Sequence, residues 1–595
     1  MAVTRFGRRR ATAGPARTVR VPAGAPAPLR GRSVAADLLV LVGTITLIWA
    51  VVRVGQGMSA SVNIADAPGT IDTDPVHLPY YAARSLLRMF IGLAASLLFT
   101  FVYATAAARC RRARAVLLPI LDILQSVPIL GFLSITVTLF LALFPGSTLG
   151  LECAAIFAIF TSQAWNMTFS FYHSLVSQPR DLSEAAVGLR LTRWQRFWRL
   201  DVPSSLIPLV WNAMMSFGGG WFFLTASEAV SVSGKNYALP GIGAYVASAS
   251  DGGRLGDVWW AILTMVVVVI AVDVFFWSPL TAWAERFRIE DTESGREPRS
   301  AALAILRRSH LPAVIGRLAG PVIELCDRVF GAIGGRTTPP AGTIGRRAGD
   351  LVFATAVTTV LAYTVFRVAD VVYREAGLHE VGHTLLLGLA TMSRVIVLMA
   401  VCTVIWVPIG VMIGLRPRLS RPLQPIIQIC ASFPANFLFP MVTAAFLAAH
   451  IPLDLGGIVL MALGTQWYIL FNVIAGASAI PGDLLEAADD MRLTRALRWR
   501  KVLLPGVFAS FVTGGITAAG GAWNASIVAE IMTYNGTTYH AHGLGDYIAR
   551  WTASTAPGHA AHLLLGIAVM CAFVVITNAT FWRRLYSLAE RRYSL

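Results

Sequence analysis

The sequence predicts an all-α polytopic membrane protein of about twelve transmembrane helices, built as two parallel six-helix repeats. Three observations carry this. Residues of the types AVILMFWYC make up 56% of the 595-residue chain, charged residues only 14%, and the mean hydropathy is +0.63. An ordinary soluble domain has roughly 25% charged residues, so both a soluble globular chain and a disordered one are excluded. Apolar runs long enough to cross about 30 Å of hydrocarbon recur along the whole chain. Finally, a 25-residue segment returns 302 residues later.

Residues 1–36 hold eight arginines, no acid, and frequent Pro and Gly, which reads as a disordered basic tail on the cytoplasmic side. Apolar spans follow near 38–54, 84–108, 115–145, 151–176, 204–227 and 257–282. A second set lies near 349–368, 384–414, 422–448, 455–477, 507–529 and 559–582. The run 115–145 is too short for two passes, and Pro119, Pro128 and Pro145 make it a kinked one. With both termini cytoplasmic, this count puts Arg109, Arg111, Arg112, Arg114, Arg416, Arg418 and Arg421 inside and Asp66, Asp72 and Asp74 outside. The segment 283–347 has eleven arginines, and charges break its apolar part (311–334). It is expected to lie on the inner surface as an amphipathic helix, not to span. The expected domains are therefore 1–36 (tail), 37–285 (first repeat), 286–347 (cytoplasmic or interfacial linker) and 348–595 (second repeat).

The formal charge of +17 rests almost wholly on arginine, since Lys235 and Lys501 are the only lysines. Because the arginines fall in bursts between apolar runs, they mark cytoplasmic loops and not a nucleic-acid surface. The six cysteines form no CxxC or Cys/His cluster, so neither a disulfide framework nor a metal site is expected. No Ser/His/Asp or paired-carboxylate arrangement stands out, and neither lysine sits in a phosphate-cradling loop. The chain carries no catalytic chemistry of its own.

The repeated segment is residues 179–203 against 481–505, with 12 of 25 positions identical. The same offset pairs Gly218 with Gly520, Trp221 with Trp523, Glu228 with Glu530, Gly241 with Gly543 and Gly243 with Gly545. Six spans per copy is an even number, so both copies share one orientation. Asp181 to Glu184, and Asp483 to Glu486, have capping-box spacing and are expected to start a short helix. Ala185–Ala186 and Ala487–Ala488 offer a surface of little bulk, and Arg190, Arg193, Arg492 and Arg495 make the rest basic. One such loop could be merely solvated; two matched loops in equivalent places argue for two equivalent partners.

Polar groups at membrane depth are candidates for a transport path. Arg88 and Arg394 are equivalent at offset 306 and sit at the outer ends of apolar runs. They either attract an anion as a positive ring, or snorkel outward or pair with a glutamate. Glu228 and Glu530 end the fifth spans and either line the path or are interfacial carboxylates wetted at the outer surface. Pro128 and Pro434 break the third spans, which either kinks them or frees carbonyls toward a path. Asn436, Asn524, Trp221 and Trp523 complete the candidate set, with interhelical packing as the alternative for each.

The pattern Glu184-Ala185-Ala186 to Pro203, and Glu486-Ala487-Ala488 to Pro505, resembles the coupling-loop signature of permease subunits of bacterial ABC importers. Arg190 and Arg492 stand where that family has glycine. With Trp221…Glu228, Trp523…Glu530 and the Gly-x-Gly at 241–243 and 543–545, the chain resembles two fused permeases of the nitrate/sulfonate/taurine/bicarbonate branch. The resemblance covers 80–285 and 385–590 and implies the type I importer fold. It further implies a bacterial inner-membrane location, import of a small anion, two separate ATPase subunits that bind the ATP and Mg, and an extracytoplasmic substrate-binding protein. The alternative is an ion-gradient-driven secondary transporter, which has no use for paired coupling loops.

Overall fold

The computed structural model describes residues 34–59, 69–232, 235–287, 301–333 and 346–592. The basic tail therefore lies outside the described residues, apart from 34–36.

Two copies of one helical plan follow each other. The first opens with α1 (Val34–Gln56) and α2 (Leu78–Arg109), then α3 (Arg111–Ser126) and α4 (Leu133–Leu143). It continues with α5 (Leu149–Val176), the short loop helices α6 (Arg180–Gly188) and α7 (Arg193–Arg196), and α8 (Val202–Glu228). A hairpin of β1 (Ala229–Val232) and β2 (Lys235–Ala238) leads to α9 (Ile242–Asp251), α10 (Leu255–Val272) and α11 (Ser278–Ala284). The linker supplies α12 (Ala301–Arg308) and α13 (Leu311–Ile333). The second copy repeats the series as α14 (Arg346–Glu375), α15 (Gly377–Gly414), α16 (Pro417–Ser432), α17 (Phe439–Ala448) and α18 (Leu453–Ser478). After α19 (Gly482–Asp490), α20 (Arg495–Arg498) and α21 (Leu504–Ala529) come β3 (Ile531–Tyr534), β4 (Thr537–His540), α22 (Leu544–Ala553), α23 (His559–Thr577) and α24 (Arg583–Arg592). The repeat seen in the sequence is thus a repeat of elements, down to a π-helical turn at Asp273–Trp277 and its match at Asn578–Trp582.

Among the described residues, seven helices are long and apolar enough to cross a membrane: α1, α2, α10 with α11, α15, α18, α20 with α21, and α23 with α24. The other five expected spans are also helical. α5, α8 and α14 are long enough but more polar, and the third span of each copy is divided. That division corrects the expectation of one kinked helix over 115–145. The chain leaves α3 before Pro128, makes a 3-10 turn over Ile129–Phe132 and restarts as α4. Pro434 does the same before Ala435–Phe437. The residue before a proline is pushed out of the helical region, so the break falls there.

These breaks hold the copies together. Ile129 and Leu130 are buried in the core formed largely by the second copy, while Phe437 is buried in the core of the first. At the other end, the Thr533 carbonyl accepts from Ser250 Oγ at 3.1 Å, and Asn535 N–H donates to the Ser250 carbonyl at 3.1 Å. The hairpins and the short helices α9 and α22 are absent from the sequence reading. The turn of the second hairpin is Asn535-Gly536, both at positive φ (51° and 71°), the backbone a tight two-residue hairpin requires.

The linker helices meet the first copy. Asp37 at the start of α1 accepts from Ser309 Oγ (2.8 Å) and His310 N–H (2.6 Å). Asp327 of α13 accepts from Trp194 Nε1 (3.0 Å) and Arg199 (3.2 Å), and Phe330 stacks on Trp194 at 4.7 Å. The linker, the start of α1 and the loop between α5 and α8 therefore share one end of the molecule.

Candidate functional site

Three sets of residues recur in both copies: the loops at one end, a buried charge network toward the other, and the contact between the copies.

Each loop begins on a proline. Pro179 and Pro481 hold φ at −53° and −56° with extended ψ, so α6 and α19 start on them with no side-chain cap. Asp181 and Asp483 fall inside the first turn, where a carboxylate suits the helix dipole. The expected capping box at Asp181 and Glu184 is therefore not formed; proline takes the cap position instead. A true box occurs one helix later, where Thr192 Oγ1 accepts from Gln195 N–H (3.2 Å) and Gln195 Oε1 from Thr192 N–H (3.1 Å). Its counterpart Thr494 caps Leu497 alone.

The turn that ends each helix explains the family glycine. Arg190 and Arg492 have φ of 54° and 51°, the left-handed conformation glycine adopts without cost. Leu191 N–H donates to the Ala186 carbonyl and Leu493 N–H to that of Ala488, both at 3.1 Å, closing the helix in a Schellman-type turn. The geometry survives the replacement. The alanine pair divides: Ala186 and Ala488 are buried, whereas Ala185 is exposed and Ala487 half-buried. Glu184, Glu486, Arg190, Arg193, Arg492 and Arg495 are all exposed. Beside them stand two apolar side chains absent from the sequence reading. Leu189 and Met491, equivalent at offset 302, are each 73% exposed. Arg109 ties the first loop down through Asp201 (2.6 Å), and an Arg498–Asp489 pair stiffens the second.

Toward the other end, Arg88 is fully buried between two carboxylates. Its Nε donates to Glu152 Oε2 at 2.5 Å, its Nη2 to Glu152 Oε1 at 2.7 Å and its Nη1 to Glu228 Oε1 at 2.7 Å. Arg84 also pairs with Glu152. Glu228 accepts further from Ser85 Oγ (2.6 Å) and Gly243 N–H (2.7 Å) at the start of α9. The second copy repeats the arrangement. Arg394 donates to Glu530 (2.8 Å) and Asp454 (2.5 Å), while Glu530 accepts from Thr391 Oγ1 (2.8 Å) and Gly545 N–H (2.7 Å). Ser85 and Thr391 then accept from Ile242 and Leu544 N–H at 3.0 and 2.9 Å. Of the two sequence alternatives for the arginines, this geometry is the glutamate pair.

The network also accounts for the Gly-x-Gly motif. A Cβ on Gly241 or Gly543 would overlap the Glu228 or Glu530 carboxylate, and one on Gly243 or Gly545 would overlap the Thr225 or Ser526 carbonyl. Glu152 and Asp454 escaped the sequence reading, although both are carboxylates at offset 302 in the first turn of the fourth span. Trp221 and Trp523 are buried within their own copies.

The copies meet at the broken third spans. Ile129 N–H, just after Pro128, donates to Asn524 Oδ1 at 2.7 Å. Asn436, two residues after Pro434, donates to Thr225 Oγ1 at 2.6 Å. Between these contacts lies a small cavity of about 50 Å³ lined by Gly219, Phe222, Phe223, Tyr468 and Gly521, among others. Gly219 leaves room for the Tyr468 hydroxyl, which a Cβ there would meet at 2.9 Å.

The family of binding-protein-dependent transport system inner membrane components matches the chain twice, over residues 90–280 and 406–595. The chain belongs to this family. It is similar to the nitrate import permease protein of Leptolyngbya laminosa, 30% identical over 144 residues, 24% of this chain and 50% of that relative. The bicarbonate transport system permease protein of Synechococcus elongatus is 28% identical over 144 residues, again 24% and 50%. The taurine transport system permease protein of Escherichia coli is 22% identical over 161 residues, 27% and 57%. The chain thus spans about half the length of the curated relatives it matches, and it is a multi-pass membrane protein that carries two units of this family in tandem.

Proposed function

We propose that this chain is the complete membrane-spanning pair of an ATP-driven importer, with each repeat docking one ATPase subunit through its α6–α7 or α19–α20 loop. One observation carries the reading. Leu189 and Met491 occupy equivalent places, each 73% exposed, among the exposed charges of Glu184, Arg190, Glu486 and Arg492. A single exposed apolar side chain is ordinary; its recurrence at the same place in both loops is what supports two equivalent protein contacts. ATP and Mg would be bound by those subunits, and an extracytoplasmic binding protein would deliver solute. The names of the similar permeases point to a small anion such as nitrate, bicarbonate or taurine.

In this reading the loop end and both termini face the cytoplasm of a bacterial inner membrane. The path runs between the copies, past Pro128, Pro434, Asn436, Asn524, Gly219 and Tyr468. The small volume there, about 50 Å³, corresponds to a closed path. The buried networks of Arg88 and Arg394 serve to fix α9 and α22 against α8 and α21, not to contact solute.

Leu189→Asp and Met491→Asp test the docking. Each places a carboxylate where an apolar contact is required without touching a buried residue. Co-purification with the ATPase should fall by roughly ten- to a hundred-fold per loop, the equivalent of about 1.4–2.8 kcal/mol, with membrane abundance unchanged. Full ATPase retention and normal uptake in both variants would refute the reading.

A further inference from the structure

The two copies differ sharply at one equivalent place. In the second copy a cavity of about 640 Å³ opens between α15, α21 and α23–α24, with Gln125 of α3 at its edge. At the matching place in the first copy the cavity is about 20 Å³. Most of the lining corresponds position by position: Trp221 with Trp523, Trp277 with Trp582, Gly218 with Gly520, Asp273 with Asn578.

What differs is the filling. In the first copy Phe90 packs on Phe217 (5.4 Å between ring centres) and on Phe276 (4.9 Å), and Phe217 packs on Trp277 (5.5 Å). Offset 306 replaces Phe90 by Ile396, and offset 302 replaces Phe217 by Ala519. The third ring is kept as Phe581 but is left 53% exposed. Gln428, Ile429 and Ser432 of α16 complete the lining of the first-copy cavity.

A hollow of this size falls within the roughly 300–1,000 Å³ of ordinary ligand sites, and its environment says what reaches it. The flanking Ile396, Val404 and Phe581 lie on the outward apolar faces of their helices, which in a membrane-spanning chain meet hydrocarbon. The lining along α21 runs from Phe511 to Trp523, twelve residues apart. That is about 18 Å at 1.5 Å per residue, close to the ~15 Å of a single leaflet. At the α24 end, Arg583 and Arg584 directly precede the lining residue Leu585.

We propose that this cavity binds one acyl chain of a bilayer phospholipid, with the phosphate at the arginines that open α24. The first copy has no such site because Phe90 and Phe217 occupy it. The lipid restores to the second copy the packing that the aromatic trio gives the first, so the pair of repeats is matched in outline and lipid-dependent on one side only.

The test uses the full-length chain in nanodiscs whose phospholipid carries a photoreactive diazirine partway along one acyl chain, with adducts mapped by mass spectrometry. The informative residues are buried ones. Ala519 and Trp523 should be labelled, and the equivalent Phe217 and Trp221 should not. Equal labelling of the two pairs, or none at Ala519 and Trp523, overturns the proposal without recourse to any variant. Joint replacement Ile396→Phe and Ala519→Phe, which writes the first-copy residues into the second, should abolish the adducts at Trp523. Labelling on the outward face of α1 should persist and report intact reconstitution. Undiminished labelling of Trp523 in that variant also overturns the proposal.

Discussion

Gly241 and Gly543 are the positions where a single added carbon is expected to do most harm. Each faces a buried glutamate that accepts from one arginine, one hydroxyl and one helix N-terminus. Gly241→Ala forces the Glu228 carboxylate out of place. Overpacking alone costs roughly 1–3 kcal/mol, and disturbing a buried ion pair adds toward the 3–5 kcal/mol typical of losing one partner. The midpoint of thermal unfolding in detergent should fall, whereas Gly256→Ala, with open space around its Cβ, should leave it unchanged. Equal midpoints for the two variants would show that the glycine is not needed there. The family position at Arg190 tests the opposite case. Arg190→Gly removes the exposed side chain but keeps the left-handed turn that the family's glycine adopts, so ATPase retention should match the parent if the turn is what docking needs. Arg190→Val places a β-branched residue at φ 54°, which is strongly disfavoured, and should weaken retention. Identical behaviour of Gly and Val at this site would show that the turn is irrelevant to docking.

Much of this residue-scale detail was legible. Arg88, Arg394, Glu228 and Glu530 stood out in the sequence because charge is costly in an apolar run, and two alternatives remained open until the geometry paired them. Glu152 was not legible as a partner, because it lies 64 residues from Arg88 and only the fold brings them together.

At the scale of elements, the linker clasps the α6–α7 loop, and the α19–α20 loop lacks the tryptophan that makes this contact. Trp194 donates to Asp327 and stacks on Phe330, but its equivalent in the second copy is Ala496. Trp194→Ala should therefore release α13 while leaving α19 and α20 untouched. Hydrogen exchange should rise across 311–333 and in the first loop, with peptides from 482–498 unchanged. Unaltered protection of α13 would mean that the clasp contributes nothing. The spans themselves were readable from hydropathy, since length and composition decide whether a segment can cross hydrocarbon. The hairpins, α9 and α22 were not, for they are short, and the starts of the two helices are held by Glu228 and Glu530. The division of the third span was only half visible. Proline announced a kink, but the depth of the break is set by the other copy, which receives Ile129 through Asn524.

For the whole molecule, repetition was the most readable feature and asymmetry the least. Twelve identities in 25 residues fix the two loops as equivalent, and the structure repeats every element around them. The differences lie in packing: Phe217 against Ala519, Trp194 against Ala496, Glu152 with Arg84 against Asp454 with His542. Such exchanges are present in the sequence, but their consequence depends on which side chains face each other. In the proposed function one chain supplies both docking loops. Native mass spectrometry of the complex released from its membrane measures this most directly. The expected result is one copy of this chain with two ATPase subunits. Two copies of the chain for every two ATPase subunits, or the chain with no ATPase at all, would contradict it.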